Sequence, residues 1–248
     1  MATSDIMNMS LLPPPKGWGD DEITKFLDRL RHNAYATYAN LQPQFQKLVA
    51  IDAAYRKLVD SLYNSKDWFA ALFLLRAHSN FLAAASLCVS GQIPETYAIL
   101  RSCLENALYG FYLSKNPDSS ETWLRRHDSE AHKQKVRDEF KIGDLLRLLG
   151  SANSKEGQTA ATLYERTIDY GAHPNERALM QTLQMTKDPS KVEFKIMYTD
   201  GDSDQLRLAL RTTAQVGVCV LGIFRLVYKE RFDFVGLTNT LDKLRAGL

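Results

Sequence analysis

Apolar residues recur at helical spacing along almost the whole chain. Ile23, Phe26, Leu27, Leu30, Ala34 and Tyr38 fall on one stripe, behind an acidic Asp20-Asp21-Glu22 start that suits a helix N-terminus. Pro43 interrupts the pattern, and a second helix is expected over 45–63. Asp67-Trp68-Phe69 opens a third helix that runs to about Ser90, where Gly91 supplies the usual C-terminal stop. Pro94 sits in the first turn of a fourth, where its missing N–H costs nothing. From Ile93 to Leu113 this helix is apolar nearly all round, which predicts a place at the centre of a bundle. Its polar members, Arg101, Ser102, Glu105 and Asn106, stand out for that reason.

Asn116-Pro117-Asp118 breaks the chain, and Ser119 or Ser120 can cap a highly charged helix over 121–140. Shorter helices are expected around Ile142–Leu149 and Thr159–Tyr170. Gly171-Ala172-His173-Pro174-Asn175 reads as a turn or helix terminus. The period then changes: Val192, Phe194, Ile196 and Tyr198 alternate with more polar residues, a strand signal. Asp200-Gly201-Asp202 turns the chain into a last long helix from about Ser203 to Lys229. The pattern therefore predicts a mainly α, multi-helix bundle with a small β-hairpin insert before the C-terminal helix. Pro13-Pro14-Pro15 makes residues 1–20 an extended, flexible arm, and 21–248 a single helical domain.

A chain of 248 residues that is 45% hydrophobic can fill one sizeable core. A net charge of +2 gives no global attraction to nucleic acid or acidic membrane, although a local basic patch is compatible with it. Cys88, Cys103 and Cys219 sit in apolar helical contexts without CxxC spacing. They read as buried reduced thiols, so neither a disulfide framework nor a zinc site is expected, and the location expected is cytoplasmic. The first residues have neither the basic nor the apolar region of a secretory signal. The longest apolar runs, Phe81–Val89 and Val216–Phe224, fall short of the roughly 20 residues of a membrane span, so no membrane association is expected. Dinucleotide, P-loop, zincin and nucleophile-elbow motifs are absent, and no cofactor or metal is expected.

Candidate chemistry rests on a few charged residues. Arg101 and Glu105, at i and i+4, share a face inside a greasy helix, and unpaired buried charge is costly. Either they form a structural ion pair or they wall a polar pocket, with His173 as a third member. Arg76 and His78 intrude on the third helix two residues apart and so point to different faces; one of them could face Arg101 and Glu105. Arg126 and His132 have a spacing that can serve RNA cleavage, histidine as acid or base and arginine on the phosphate. The bland alternative is a solvated charged face. Arg166 and His173 repeat the spacing.

The helical pair joined at Gly91, the run AILRSCLENALYGFYL, then YGAHPN, a short β-like insert and a long apolar C-terminal helix resemble a family of uncharacterised prokaryotic proteins grouped with the HEPN-like helical bundles. The resemblance spans roughly Asp67 to Tyr228. It implies an all-α bundle, often dimeric, and in the wider superfamily RNA cleavage or nucleotide binding in defence or toxin systems. Its Arg-x(4–6)-His motif would fall on Arg126 and His132, or on Arg166 and His173. The function expected is thus binding of RNA or a phosphate-bearing ligand by Arg101, Glu105 and His173, with Arg101 on the anion and ribonuclease activity as a sub-case. Whether the chain is an enzyme stays open. The alternative is a non-catalytic dimeric scaffold, joined through Val216, Val220 and Ile223 of the last helix, with a structural polar core.

Overall fold

The computed structural model describes residues 13–65, 67–174, 176–180, 183–188 and 191–248. The expected arm is described only from Pro13, and Asn175 also lies outside the described residues. Trp18 folds back on Pro15 through a 3.0 Å backbone hydrogen bond and is half-buried just ahead of the first helix.

Helix α1 (Glu22–Asn40) begins at Asp21, whose carboxylate accepts from the Thr24 N–H at 2.9 Å. Helix α2 (Gln42–Ser61) follows directly, with Pro43 in its first turn. Helices α3 (Trp68–Val89) and α4 (Ile93–Lys115) form an antiparallel hairpin whose level is fixed by two bonds. Asn80 Nδ2 donates to Ser102 Oγ at 2.8 Å, and Cys103 Sγ donates to the Ala77 carbonyl at 3.2 Å. Gly91 makes the turn with φ of +81°, where Asp200 N donates to its carbonyl at 2.9 Å. A side chain at position 91 would collide with the Asp200 backbone, so the left-handed conformation and the close approach both require glycine.

The charged segment expected as one helix over 121–140 is broken. It runs as α5 (Ser119–Leu124), a 3-10 turn over Arg125–His127, and α6 (Glu130–Glu139). The Ser129 hydroxyl accepts from the His132 N–H at 3.2 Å and restarts the helix, so a side-chain cap inside the segment overrides its helical composition. Ser119 opens α5 without a side-chain cap bond. Helices α7 (Ile142–Ala152) and α8 (Ser154–Thr167) follow, with Asn153 capping α8. Helix α8 thus begins five residues earlier than the sequence pattern predicts. It ends in a π-type turn over Ile168–Ala172, followed by α9 (Glu176–Met180).

The hairpin insert is β1 (Leu183–Asp188) against β2 (Lys191–Ile196), antiparallel, with Leu183 opposite Ile196 and Met185 opposite Phe194. All of β2 is exposed, so its alternation marks an apolar face that nothing described covers, not a half-buried strand. Ser203 caps α10 (Asp204–Val227), and two short helices close the chain, α11 (Lys229–Phe234) and α12 (Leu237–Arg245).

The bundle is built around α10, not α4. Fifteen of the 24 residues of α10 are buried, against 11 of 23 in α4. Val216, Val220 and Ile223 are fully buried in the chain's own core, so the dimer face expected on this helix is not available. Among the described residues, two helices, α3 and α10, are long and apolar enough to cross a membrane by length and composition, a test that a buried core helix also passes. Single polar residues split the apolar stretches of both helices, so their unbroken apolar runs are much shorter than the helices themselves. Of the apolar window, 72% is buried for α10 but only 44% for α3.

Candidate functional site

Arg101 and Glu105 do pair. Arg101 Nε donates to Glu105 Oε1 at 2.9 Å, with both side chains about a quarter to a third exposed. Their third member is Tyr164 of α8, not His173. The Tyr164 hydroxyl donates to Glu105 Oε1 at 3.0 Å, and the Arg101 guanidinium lies over its ring, 5.2 Å from the centroid. Burial, then the neighbouring Glu105 carboxylate, pushes the Tyr164 phenol up to about 12, so it stays a donor at physiological pH. The guanidinium is therefore neutralised and covered from two sides.

His173 is exposed at the other end of the helix pair. Helix α8 runs antiparallel to α4: the Tyr170 ring stacks on Tyr97 with centroids 5.3 Å apart, and Gly171 lies against Pro94. Arg101 is two turns beyond Pro94, about 10 Å along the axis, and Glu105 about 16 Å. The chain leaves Gly171 in the opposite direction. Nor does His78 reach them: it stacks on Tyr55 and sits 2.6 Å from Asp52 of α2, while Arg76 is exposed.

Arg126 belongs to the 3-10 turn and His132 to α6. The His132 Nδ1 is 2.8 Å from the Ser129 hydroxyl that caps its own helix, so this ring is engaged locally. Arg166 is also separated from His173: its Nη1 donates to Gln215 Oε1 at 2.6 Å and Thr212 Oγ1 at 3.3 Å on α10.

Those bonds lead to a second place. The opposite side of α8 forms a cleft of about 420 Å3 with α10 and the end of α12. Leu163, Val218 and Cys219 give it an apolar floor, and Gln158, Thr159, Thr162 and Gln215 a polar wall. Lys155, Arg166 and Arg245 bring three cationic side chains to it, against one acidic side chain, Glu156, and Leu248 lines it too. The Glu156 carboxylate is 3% exposed and is held in an ion pair with Arg245, tying α8 to α12. The pair lies on Gly222 of α10: a Cβ there would sit 2.5 Å from Arg245 Nη2 and 2.6 Å from Glu156 Oε2. A side chain at 222 would push the ends of both charged groups aside. The buried Tyr97 hydroxyl lies beside Thr212 and Arg166.

This arrangement can hold an anion. Arg166 spends Nη1 on α10 and keeps the rest of its fork, and Lys155 is exposed at the rim. It is unsuited to thiolate chemistry: burial, then the Glu156 charge, drives the Cys219 thiol far above its ordinary range. Among the described residues, no three His, Cys, Asp or Glu side chains group as metal ligands.

Sequence reasoning singled out Arg166 only for its spacing to His173, and missed Lys155, Glu156 and Arg245. One signal for Glu156 existed. On α8 it shares the buried stripe of Ala160, Leu163 and Thr167, a carboxylate in phase with apolar positions. The chain matches no protein-family model, no curated protein and no solved structure.

Proposed function

We propose that this chain binds a small phosphate-bearing ligand in the cleft between α8, α10 and α12, with Arg166 as the main anion contact and Lys155 at the rim. The observation that carries this is the balance of charged side chains in the cleft: three cationic side chains line it, and its one acidic side chain is already bonded to Arg245. Its volume, about 420 Å3, lies in the range of small-molecule sites and suits a ligand of mononucleotide size. Leu163 and Val218 supply an apolar surface for the body of such a ligand. This reading keeps the phosphate chemistry implied by the HEPN-like resemblance and moves it away from Arg101, Glu105 and His173.

Calorimetric titration of the full chain with inorganic phosphate, a nucleoside monophosphate and a short single-stranded RNA tests it. The monophosphate is expected to bind, with affinity falling at least tenfold in Arg166→Gln and unchanged in Arg101→Gln. Binding that survives Arg166→Gln but is lost in Arg101→Gln returns the site to the Arg101–Glu105 pair. RNA binding without monophosphate binding removes the cleft reading. RNA turnover abolished by His132→Ala would support the ribonuclease alternative instead.

A further inference from the structure

Beyond Leu248 from the cleft lies a second cavity, of about 350 Å3, where the start of α2 faces α10. Leu248 lines both cavities, so this residue stands between them. The buried Leu210 and Ala214 give the second cavity an apolar floor. Its charged side chains are Lys47 and Arg211, and no acidic side chain lines it.

Both cations keep capacity for a ligand. Helix α10 carries three arginines. Arg207 Nη2 bonds Asp202 Oδ1 at 2.6 Å, and Arg225 Nη1 is 3.9 Å from Asp242 Oδ1. Arg211 is exposed between the buried Leu210 and Thr212, and among the described residues it makes no hydrogen bond or ion pair. Lys47 donates once, to the Gly247 carbonyl at 2.9 Å, and stands in no ion pair among the described residues. Gln44 of α2 lines the same cavity, and its amide oxygen is buried there without a partner among the described residues. A buried acceptor left unmet is costly, and a ligand hydroxyl would satisfy it.

The second cavity lies close to the first anion contact. Gln215, which holds Arg166 Nη1 at 2.6 Å, is one turn from Arg211, about 6 Å along the axis of α10. Arg166 and Arg211 thus serve neighbouring but separate places. The two phosphates of a diphosphate share one bridging oxygen and cannot part that far. Phosphates on two different carbons of one sugar can, and such a sugar also offers a free hydroxyl.

We propose that the α8–α10–α12 cleft continues past Leu248 into a second anion subsite made by Arg211 and Lys47, and that its ligand is a ribose bearing two separate phosphates, of the nucleoside 3′,5′-bisphosphate class. This deepens the phosphate-binding reading of the cleft and rests on it. One phosphate lies at Arg166 and the other at Arg211 and Lys47, with the free hydroxyl directed to Gln44.

Calorimetric titration of the full chain with adenosine 5′-monophosphate, adenosine 3′,5′-bisphosphate and adenosine 5′-diphosphate tests this. The bisphosphate is expected to bind at least tenfold more tightly than the monophosphate. Arg211→Gln should remove that gain and leave monophosphate affinity and the circular dichroism spectrum unchanged. Lys47→Gln should act in the same direction, and Arg166→Gln should weaken both ligands. Monophosphate binding with no gain for the bisphosphate overturns the second subsite and leaves the first reading standing. So does a diphosphate that binds as tightly as the bisphosphate, or an Arg211→Gln variant that weakens monophosphate and bisphosphate equally. If neither ligand binds the parent chain, the cleft reading itself falls and takes this proposal with it.

Discussion

The ion pair between Glu156 and Arg245 gives the sharpest test of the geometry, because its two halves are unequally buried. The Glu156 side chain is 4% exposed and the Arg245 side chain 22%. Replacing Arg245 with alanine leaves a carboxylate enclosed against Gly222 with no counter-charge, and breaking a buried pair this way costs about 3–5 kcal/mol. Replacing Glu156 with alanine leaves an arginine whose head can turn to solvent, so its cost is about 1–2 kcal/mol. At about 2–4 °C per kcal/mol for a chain of this length, Arg245→Ala should lower Tm by roughly 10 °C and Glu156→Ala by roughly 4 °C. The double variant Glu156→Ala/Arg245→Ala, which removes both charges, should be no less stable than Arg245→Ala, with a coupling energy of about 2 kcal/mol or more. The assay is thermal unfolding by circular dichroism at one pH and salt concentration. If Glu156→Ala proves as damaging as Arg245→Ala, or the double variant shows additive losses, the carboxylate is not enclosed and the account of Gly222 falls with it.

Other consequences are open to simple measurement. Arg101→Ala strips one bond from Glu105 and the cation from the Tyr164 ring, so about 1 kcal/mol of stability should be lost with monophosphate titration unaffected; a binding loss without a Tm change would contradict the structural role. At Asp52, partial burial works to raise the carboxyl, but the bonds from Arg56 and His78 outweigh it and hold the group below its ordinary 3.8. A depressed folded-state value means stability that is present above the unfolded value and lost as pH falls through the folded one. The acid limb of Tm between pH 5 and 2 should therefore be shallower in Asp52→Asn than in the parent chain, and equal slopes would count against the pairing. Burial pushes the Cys88 and Cys103 thiols up to about 12, so a thiol reagent at pH 8 should label neither in the native chain and both after denaturation.

The periodic elements were legible because each carries its own punctuation. Asp21, Gly91, Pro94 and Ser203 mark helix ends by chemistry local to those positions, and the structure has its boundaries at them. The errors arise where a polar side chain competes with a helical composition. Ser129 restarts a helix within a charged run that has no apolar stripe to reveal the break. Asn153 starts α8 ahead of where its apolar residues begin. Centrality is another matter. Helix α4 looks more apolar by eye, but α10 is the one surrounded, because α2, α3, α4, α8 and α12 all pack against it. Composition says how much surface a helix can bury, while topology decides how much it does.

The same distinction separates the two candidate sites. Arg101 and Glu105 are visible in the sequence because their spacing is local, and the locality is also why they satisfy each other. Charges that neutralise one another within a single helix and take a tyrosine hydroxyl as third partner have little capacity left for a ligand. The cleft has the reverse character. Lys155 and Glu156 precede the residue at which the apolar pattern of α8 begins, Gln215 and Gly222 lie in an apolar helix, and Arg245 lies beyond the last helix the pattern predicts. No short spacing links them. What joins them is the buried carboxylate of Glu156, which takes an arginine from elsewhere in the chain as its partner, the pair packing on Gly222. With that arginine committed, Arg166 and Lys155 retain the uncompensated positive charge, and a phosphate-bearing ligand is the partner that would complete the balance.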